Sequence, residues 1–90
     1  DKNITVRVLN GSGTSGVAGL VADLLKEQEF KNIYTGNAGD FNYNITLIKH
    51  TKETTKTAEL IANIFDNIVK LELVEEQTDG VVVVVGKDFE

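Results

Sequence analysis

The chain contains no cysteine, methionine, tryptophan or proline among its 90 residues. Because cysteine is absent, the chain can form no disulfide, has no thiolate nucleophile and cannot ligate zinc through sulfur. It also lacks any apolar run close to the ~18 residues that span a bilayer, so we expect no membrane insertion by this segment. The first residues lack the charged-then-apolar layout of a signal peptide, which together with the missing methionine indicates a domain taken from a longer protein.

Positive charge is scarce and dispersed along the chain. Nine lysine and arginine residues stand against 14 aspartate and glutamate residues, which gives a net charge of -5. Binding to a nucleic-acid backbone requires clustered positive charge, so we expect no nucleic-acid partner and no attraction to an anionic membrane surface. The one loose basic cluster, between Lys49 and Lys56, is interpreted as a solvated helix entry.

Length and composition predict one globular domain over residues 1–90. A hydrophobic content of 41% with 26% charged residues is typical of folded domains and far from the composition of disordered chains. A chain of this length buries roughly 65% of the surface that its unfolded form exposes, which suffices for one core.

Hydrophobic periodicity predicts an alternation of strands and helices. Strands are expected at 4–9, 32–35, 45–48, 69–74 and 81–85, and helices at 14–29 and 51–65. Because each helix needs a sheet face to bury its apolar side, the fold class is α/β (α+β). It is a two-layer sandwich with both helices on one face of a four- to five-stranded mixed sheet, in the order β-α-β-β-α-β-β.

Two details of this sheet follow from composition. Five consecutive valines at 81–85 indicate a central strand that is paired on both edges. The glycine- and asparagine-rich residues 36–44 favour a turn, so the second strand is expected to form a hairpin with the third.

Each predicted helix carries an apolar stripe at helical spacing. Thr14 or Ser15 is a candidate N-cap for the first helix, and Thr51 or Thr54 for the second. The residues expected to face the sheet are Val17, Leu20, Val21, Leu24 and Leu25 in the first helix, and Leu60, Ile61, Ile64, Phe65 and Ile68 in the second.

The first strand runs directly into G-x-G-x-x-G at Gly11, Gly13 and Gly16, a spacing that is typical of dinucleotide-binding loops. Three features argue against a nucleotide site. The nearest acidic residue that could hold a ribose, Asp40, lies in the turn region, the second strand does not feed another helix, and the chain is too short for the second half of such a fold. A P-loop is also excluded because no Gly-Lys-Ser/Thr follows.

The structural interpretation of this loop is a strand-to-helix turn. Gly11 and Gly13 would supply positive-φ turns, while Gly16 and Gly19 would let the helix lie close to the sheet. Such a turn leaves a small nest of N–H groups and polar side chains at an exposed helix start, which could bind an anion or a hydroxyl. The candidate ligand-binding residues are Asn10, Gly11, Ser12, Gly13, Thr14 and Ser15, joined by Tyr43 and Asp88.

Asp88 is included among the candidate residues because of the strand order that we consider. If the last strand lies parallel beside the first, the ends of both strands bring residues 10–12 near 87–88. Asp88 would then cap the last turn or reach a neighbouring loop.

Three aromatic residues, Tyr34, Phe41 and Tyr43, surround the glycine- and asparagine-rich turn. Exposed aromatic rings among amide side chains bind sugars by stacking. The alternative is that Phe41 or Tyr43 closes the end of the core beneath a long hairpin.

Other candidate chemistry is weak. His50 is the only histidine and is expected at the surface, where it has no partner for a catalytic triad or a metal cluster. The acidic residues Glu72, Glu75, Glu76 and Asp79 lack the spacing of a calcium loop and are interpreted as a solvated edge strand and turn. We therefore predict no catalytic residue, no metal and no cofactor.

Several motifs together resemble the LytR C-terminal domain family. They are V-L-N-G at 8–11, an alanine-containing helix that ends near Phe30, and a last hydrophobic strand that closes on G-K-D at 86–88. The similarity extends from Val6 to Phe89. One departure is Glu29, where the family usually has glycine, which affects how the helix ends.

Such domains resemble the extracytoplasmic C-terminal modules that follow the LytR-CpsA-Psr phosphotransferase domain in membrane-anchored cell-envelope proteins of Gram-positive bacteria, and some occur without that domain. The resemblance therefore implies a non-catalytic, extracytoplasmic accessory domain of a cell-envelope protein, and the phosphotransferase activity does not transfer because that domain is absent from this chain. The implied partners are peptidoglycan or wall glycopolymer, or another envelope protein domain. The alternative is a protein–protein interaction or assembly module that has no glycan ligand and acts through an exposed sheet face or edge strand.

Overall fold

In the part of the chain that the structure describes, five strands and two α-helices follow one another in the predicted order, with two short 3-10 turns that the pattern did not predict. The computed structural model describes residues 4–39, 41–65, 69–74 and 80–89. The strands are β1 (Thr5–Asn10), β2 (Asn32–Asn37), β3 (Leu47–His50), β4 (Lys70–Leu73) and β5 (Gly80–Val85), and the helices are α1 (Val17–Glu27) and α2 (Thr55–Ile64). The 3-10 turns are Lys52–Thr54 and Lys87–Phe89.

The sheet is mixed and has the order β2-β1-β5-β3-β4. β1 is parallel to both β2 and β5, whereas β3 is antiparallel to β5 and parallel to β4. The five-valine strand β5 is central and paired on both edges, as predicted. The predicted hairpin between the second and third strands is wrong, because β1 and β5 lie between them. β3 pairs with the free edge of β5, so the chain after β2 crosses the end of the sheet to reach it.

The core lies between one face of the sheet and both helices, which confirms the two-layer arrangement. Val6 pairs with Val81 and Val8 with Val83, and all four side chains are buried on this face. The same cluster includes residues from both helices, among them Leu25 and Ile61. Burial of each such valine or leucine contributes roughly 1.5–3 kcal/mol, so the alternation of the strands fixes which face the helices cover.

The helices approach the sheet partly through small residues. α1 buries Ala18 and Ala22 beside Val17, Val21 and Leu25, and α2 buries Ala58 and Ala62 beside Ile61. The expectation that Leu20, Leu24 and Leu60 face the sheet is therefore wrong: their side chains are 59%, 36% and 45% exposed. The side of each helix that faces the sheet includes these alanines, so the leucines lie on the solvent side. Ile68 lies outside the described residues.

The start of α1 differs from the prediction. Neither Thr14 nor Ser15 is the N-cap, which is Gly16 with a φ of 85° and no side-chain cap hydrogen bond. Gly16 therefore serves the backbone conformation rather than close packing, since an added methyl at Gly16 or Gly19 would meet no other atom within 4 Å. The left-handed φ ends the loop and turns the chain into the helix.

The end of α1 is a Schellman motif with an unusual residue in the left-handed position. The Phe30 N–H donates to the Leu25 carbonyl at 3.2 Å, and the Glu29 N–H donates to the Lys26 carbonyl at 2.9 Å. Glu29 has a φ of 70°, a conformation that glycine adopts without a Cβ penalty. Glu29 therefore makes this turn at a conformational cost.

We expect Glu29→Gly to raise the free energy of unfolding by about 0.5–1 kcal/mol, because it removes the left-handed strain of a residue with a Cβ. Urea unfolding followed by circular dichroism measures the change. Gln28→Gly is the matched control, since Gln28 has a φ of -90° and gains nothing from glycine. Equal effects of the two substitutions would show that the left-handed backbone at Glu29 carries no strain.

The entry to α2 uses both predicted capping threonines. Thr51 is the N-cap of the preceding 3-10 turn and Thr54 that of the helix, and the Thr51 N–H donates to the Thr54 hydroxyl at 2.9 Å. The surface placement predicted for His50 is wrong, because its side chain is only 6% exposed. His50 follows Ile48 on the helix-covered face of β3 by strand period, and its Nδ1 lies 2.9 Å from the Thr51 carbonyl oxygen.

Candidate functional site

The carboxyl ends of β1, β2 and β5 lie at one edge of the sheet, where ligands of open α/β sheets commonly bind. Asn10 pairs with Val85, and the Gly11 N–H donates to the Val85 carbonyl at 2.9 Å. The parallel pairing of the first and last strands, on which the candidate site depended, is therefore confirmed.

The chain that crosses this edge joins the two strand ends to each other. The Tyr43 N–H donates to the Gly11 carbonyl at 3.2 Å, and the Lys87 N–H donates to the Tyr43 carbonyl at 2.9 Å. The Asp88 N–H donates to the Asn44 carbonyl at 3.2 Å. Residues 10–12 and 87–88 thus meet through the crossing segment, as one hydrogen-bonded unit.

Asn10 organises the loop that follows β1. Its Oδ1 accepts the Ser12 N–H at 3.0 Å and the Ser12 hydroxyl at 2.8 Å, and its Nδ2 donates to the Thr14 carbonyl at 2.7 Å. The Ser12 hydroxyl oxygen in turn accepts the Thr14 N–H at 3.0 Å. Asn10 and Ser12 are 7% and 6% exposed, so the polar groups of the loop satisfy one another inside the protein.

The hydrogen bonds of this loop distinguish between the two interpretations of the G-x-G-x-x-G motif, a nucleotide site and a structural turn. A phosphate cradle requires backbone N–H groups that point at the ligand. Here the N–H groups of Gly11, Ser12 and Thr14 all donate to acceptors of the protein itself. The geometry therefore favours the structural interpretation of G-x-G-x-x-G over a dinucleotide site. Asp40, the ribose-binding candidate, lies outside the described residues.

Glycine is required at position 11 because a larger side chain would not fit there. It does not have the positive φ that was expected; an added methyl would lie 2.6 Å from Cδ2 of Tyr43 and 2.9 Å from Cγ1 of Val84. Tyr43 and Val84 therefore both contact this glycine. Val84 points away from the helices and is still buried, which shows that the crossing segment covers part of the second sheet face.

Asp88 closes a second network at the same edge. Its Oδ1 accepts the Thr46 N–H and the Thr46 hydroxyl, both at 2.8 Å, and the Thr46 hydroxyl oxygen accepts the Gly86 N–H at 3.0 Å. Thr46 is 2% exposed. Of the two roles considered for Asp88, the side chain thus reaches a neighbouring loop, where it fixes the start of β3 against the end of β5.

The three aromatic residues have different environments. Tyr43 is half-buried, and its ring packs against Gly11 on the sheet face opposite the helices. Phe41 is 46% exposed, and its Cβ lies 3.4 Å from the position of an added methyl at Gly13. Tyr34 is 56% exposed on β2, with the Arg7 guanidinium carbon 5.8 Å from the centre of its ring.

The site residues predicted from the sequence are thus brought to one edge of the sheet, but in two layers. Asn10, Gly11 and Ser12 form a buried base, on which Tyr43 packs. Above this base the exposed residues are Gly13, Thr14, Ser15, Phe41 and Asn42, which we call the loop surface. Sequence reasoning placed Tyr43 rather than Phe41 among the binding residues, and it left open which of the two rings is the buried one.

Comparison with known proteins now decides the family. Residues 3–89 match the model of the family described as LytR cell envelope-related transcriptional attenuator. The chain belongs to this family. The resemblance that V-L-N-G and G-K-D suggested is confirmed. In the structure, one residue of each motif, Asn10 and Asp88, organises a hydrogen-bonded network at the same edge of the sheet.

Two solved structures are similar to this LytR C-terminal domain. One is the soluble domain of a conserved hypothetical secreted protein, the Rv2700 ortholog, from Mycobacterium marinum, with 28% identity and a TM-score of 0.80 over 97% of this chain. The chain spans 61% of that domain. The other is the solution structure of the C-terminal domain of RV0431, with 31% identity and a TM-score of 0.66 over 93% of this chain and 72% of that one. No curated protein matches the chain significantly.

Spanning helices and metal clusters are both missing from the described part of the chain. Within residues 4–39, 41–65, 69–74 and 80–89, no helix combines the length and apolar character that crossing a bilayer requires. In the same ranges, no three acidic, histidine or cysteine side chains are grouped so that they could hold a metal ion.

Proposed function

We propose that this LytR C-terminal domain is a non-catalytic, extracytoplasmic accessory domain of a cell-envelope protein, and that it binds cell-wall polymer through the loop surface. Family membership and the similarity to the soluble domain of a secreted protein support the location. The parent protein would be anchored in the membrane of a Gram-positive cell, where wall glycan is the abundant neighbouring polymer.

The observation that carries the glycan proposal is the exposed ring of Phe41 above a rigid polar loop. Phe41 is 46% exposed and lies against Gly13, which is followed in the chain by the exposed hydroxyl residues Thr14 and Ser15. Sugars present apolar C–H faces that stack on aromatic rings and hydroxyl groups that bond to polar side chains. The loop surface offers both within a few residues.

Rigidity of the base supports the same proposal. Binding costs less when the binding residues are held in place before the ligand arrives. The Asn10 and Ser12 network fixes the loop from below, and the Tyr43 backbone bonds hold the segment that carries Phe41. These residues are therefore expected to support the loop surface without touching the ligand.

A second candidate is an interaction with a neighbouring envelope protein domain. The exposed leucines Leu20 and Leu60 on the two helices favour it, since a protein partner that covers them removes apolar surface from water. This interaction would leave the loop surface free and would require no glycan.

The wall-binding proposal is tested by sedimentation with purified peptidoglycan sacculi. We expect the intact domain to sediment with the sacculi, and Phe41→Ala to weaken binding roughly tenfold, as loss of a stacking ring removes about 1–2 kcal/mol. Tyr34→Ala is the matched control, because Tyr34 is at least as exposed but lies on β2, about 10 Å from its carboxyl end.

Each outcome of this experiment is informative. Failure of the intact domain to sediment would contradict wall binding and favour the protein-interaction candidate. Equal losses from Phe41→Ala and Tyr34→Ala would contradict the placement of the site at the loop surface. Thermal unfolding of both variants serves as the folding control, and little change is expected for either exposed ring.

A further inference from the structure

The outer edge of β4 pairs with no other strand in the part of the chain that the structure describes. On its inner side β4 pairs with β3, where the Lys70 N–H donates to the Thr46 carbonyl at 3.0 Å and the Val74 N–H donates to the His50 carbonyl at 2.8 Å. Successive residues of a strand direct their backbone groups to opposite sides, so those of Leu71 and Leu73 point away from the sheet.

The apolar and the charged side chains of β4 lie on opposite faces of the sheet. Leu71 and Leu73 are 38% and 54% exposed and lie on the helix-covered face, in register with Ile48 and His50. Lys70 and Glu72 lie on the opposite face. The edge therefore combines an apolar row with one positive and one negative charge.

The sequence of this edge is self-complementary about Leu71. The segment V-K-L-E-L, residues 69–73, has an apolar residue two positions away on each side and opposite charges one position away on each side. In an antiparallel pair of two such strands centred on Leu71, each Leu71 faces the other, Val69 faces Leu73, and Lys70 faces Glu72. Opposite charges and apolar side chains placed directly across two strands are stabilising.

The backbone permits few other registers. Outward-facing backbone groups must meet outward-facing groups, so the two-fold axis has to pass through a residue and not between residues. An axis at Glu72 would place two glutamates directly opposite each other, and an axis at Lys70 would do the same with two lysines, which is unfavourable. Among these registers, the one centred on Leu71 satisfies backbone, charge and apolar groups together.

We propose that two copies of this chain associate through β4, as a symmetric antiparallel edge pair centred on Leu71. The association joins two five-stranded sheets into one and buries the apolar row that each copy exposes. Because the paired strands are short, the interface falls in the small class of weak, transient complexes, with a dissociation constant on the order of 0.1–1 mM in solution. Copies held together on a surface would pair more readily, since their effective concentration is higher.

Charge-swap variants of the 90-residue chain test both the association and its register. Lys70→Glu alone places two glutamates opposite each other across the paired strands, and Glu72→Lys alone places two lysines opposite each other. Each variant is expected to dimerise at least about fivefold more weakly than the unmodified chain. An equimolar mixture of the two variants restores opposite charges across the strands in the mixed dimer and is expected to recover association. Sedimentation equilibrium measures each case, with 9.8 kDa for the monomer.

Three results would overturn the proposal. The unmodified chain could remain monomeric at about 1 mM, the single variants could associate as strongly as the unmodified chain, or the mixture could associate no better than each variant alone. Circular dichroism of the separate variants verifies folding, which is needed because Glu72 lies beside Lys49 on β3. The assay contains no glycan, so its outcome is independent of wall binding.

Discussion

Gly86→Ala is expected to lower the free energy of unfolding by about 3 kcal/mol, the upper range for overpacking a well-filled site. A methyl group on Gly86 would lie 2.5 Å from the carbonyl carbon of Ile45 and 2.7 Å from both its oxygen and the Thr46 nitrogen. These are backbone atoms, so no side-chain rotation can relieve the contact. Moving them apart would also strain the bonds that Thr46 makes with Asp88 and Gly86.

Thermal unfolding measures this effect, and we expect the midpoint to fall by roughly 12–24 °C. Gly19→Ala is the matched control, because a methyl there meets no other atom within 4 Å and Gly19 lies inside α1. Alanine in a helix is preferred over glycine, so this control should gain about 0.5–1 kcal/mol. If Gly86→Ala lowers the free energy of unfolding while Gly19→Ala raises it, the close approach of the Ile45 backbone to Gly86 is the cause. A loss below about 1 kcal/mol for Gly86→Ala would contradict this explanation.

Asn10→Ala is expected to cost about 2–3 kcal/mol, because it leaves buried groups without partners. The side chain accepts two hydrogen bonds from Ser12 and donates one to the Thr14 carbonyl. Since Ser12 is buried, water cannot easily replace the lost acceptor. Denaturant unfolding measures the change, with Ser15→Ala as an exposed control in the same loop that should change little.

Asn10→Asp refines this prediction. Aspartate keeps an acceptor for both Ser12 groups, but it loses the donor to the Thr14 carbonyl and places a buried, charged oxygen against that carbonyl, so its cost should be at least that of alanine. Should Asn10→Ala unfold no more easily than Ser15→Ala, Asn10 would not be the organising residue of the loop. The same result would reopen Asn10 as a ligand-binding residue, the role that the sequence alone suggested.

The strands were predictable because their signal is local. Alternation in β1 and the valine run of β5 indicated which residues share a face, and Val6, Val8, Val81 and Val83 do lie together on the core side. The number of strands and the shared face of the helices followed from the need of each helix to cover apolar surface. These features depend on period and composition, which a single sequence carries.

Strand pairing was less predictable because it depends on residues that are distant in sequence. The glycine- and asparagine-rich residues after β2 favour a turn, and a hairpin is the simplest way to use one. The chain instead crosses the sheet edge, held by bonds from Ala38 to Asn10 and from Tyr43 to Gly11. No local pattern distinguishes a turn that reverses the chain from a segment that crosses the ends of two other strands.

Individual placements failed for a related reason. Thr14 and Ser15 resemble N-caps, but Asn10 and Ser12 bind the Thr14 backbone and shift the helix start to Gly16. A lone histidine is usually placed at the surface, but strand period puts His50 on the covered face. In both cases the tertiary environment overrides a residue's usual preference.

The candidate site residues were grouped by the strand order that the sequence implied. The sequence selected V-L-N-G and Asp88, and the structure gathers them at one edge, where they support the fold. The exposed residues above them are the ones proposed to bind. The family motif thus forms the base beneath the surface that we propose as the binding site.

The central claim is that the loop surface binds wall glycan above a closed, structural base, and nuclear magnetic resonance tests it most directly. The isotope-labelled chain is titrated with soluble peptidoglycan fragments while the backbone amide signals are followed. We predict progressive shifts of Gly13, Thr14, Ser15, Phe41 and Asn42, with little change at Gly11 and Ser12, which are buried beneath the loop surface. Absence of shifts at saturating fragment, or shifts centred on Leu20 and Leu60 of the helices, would contradict the claim.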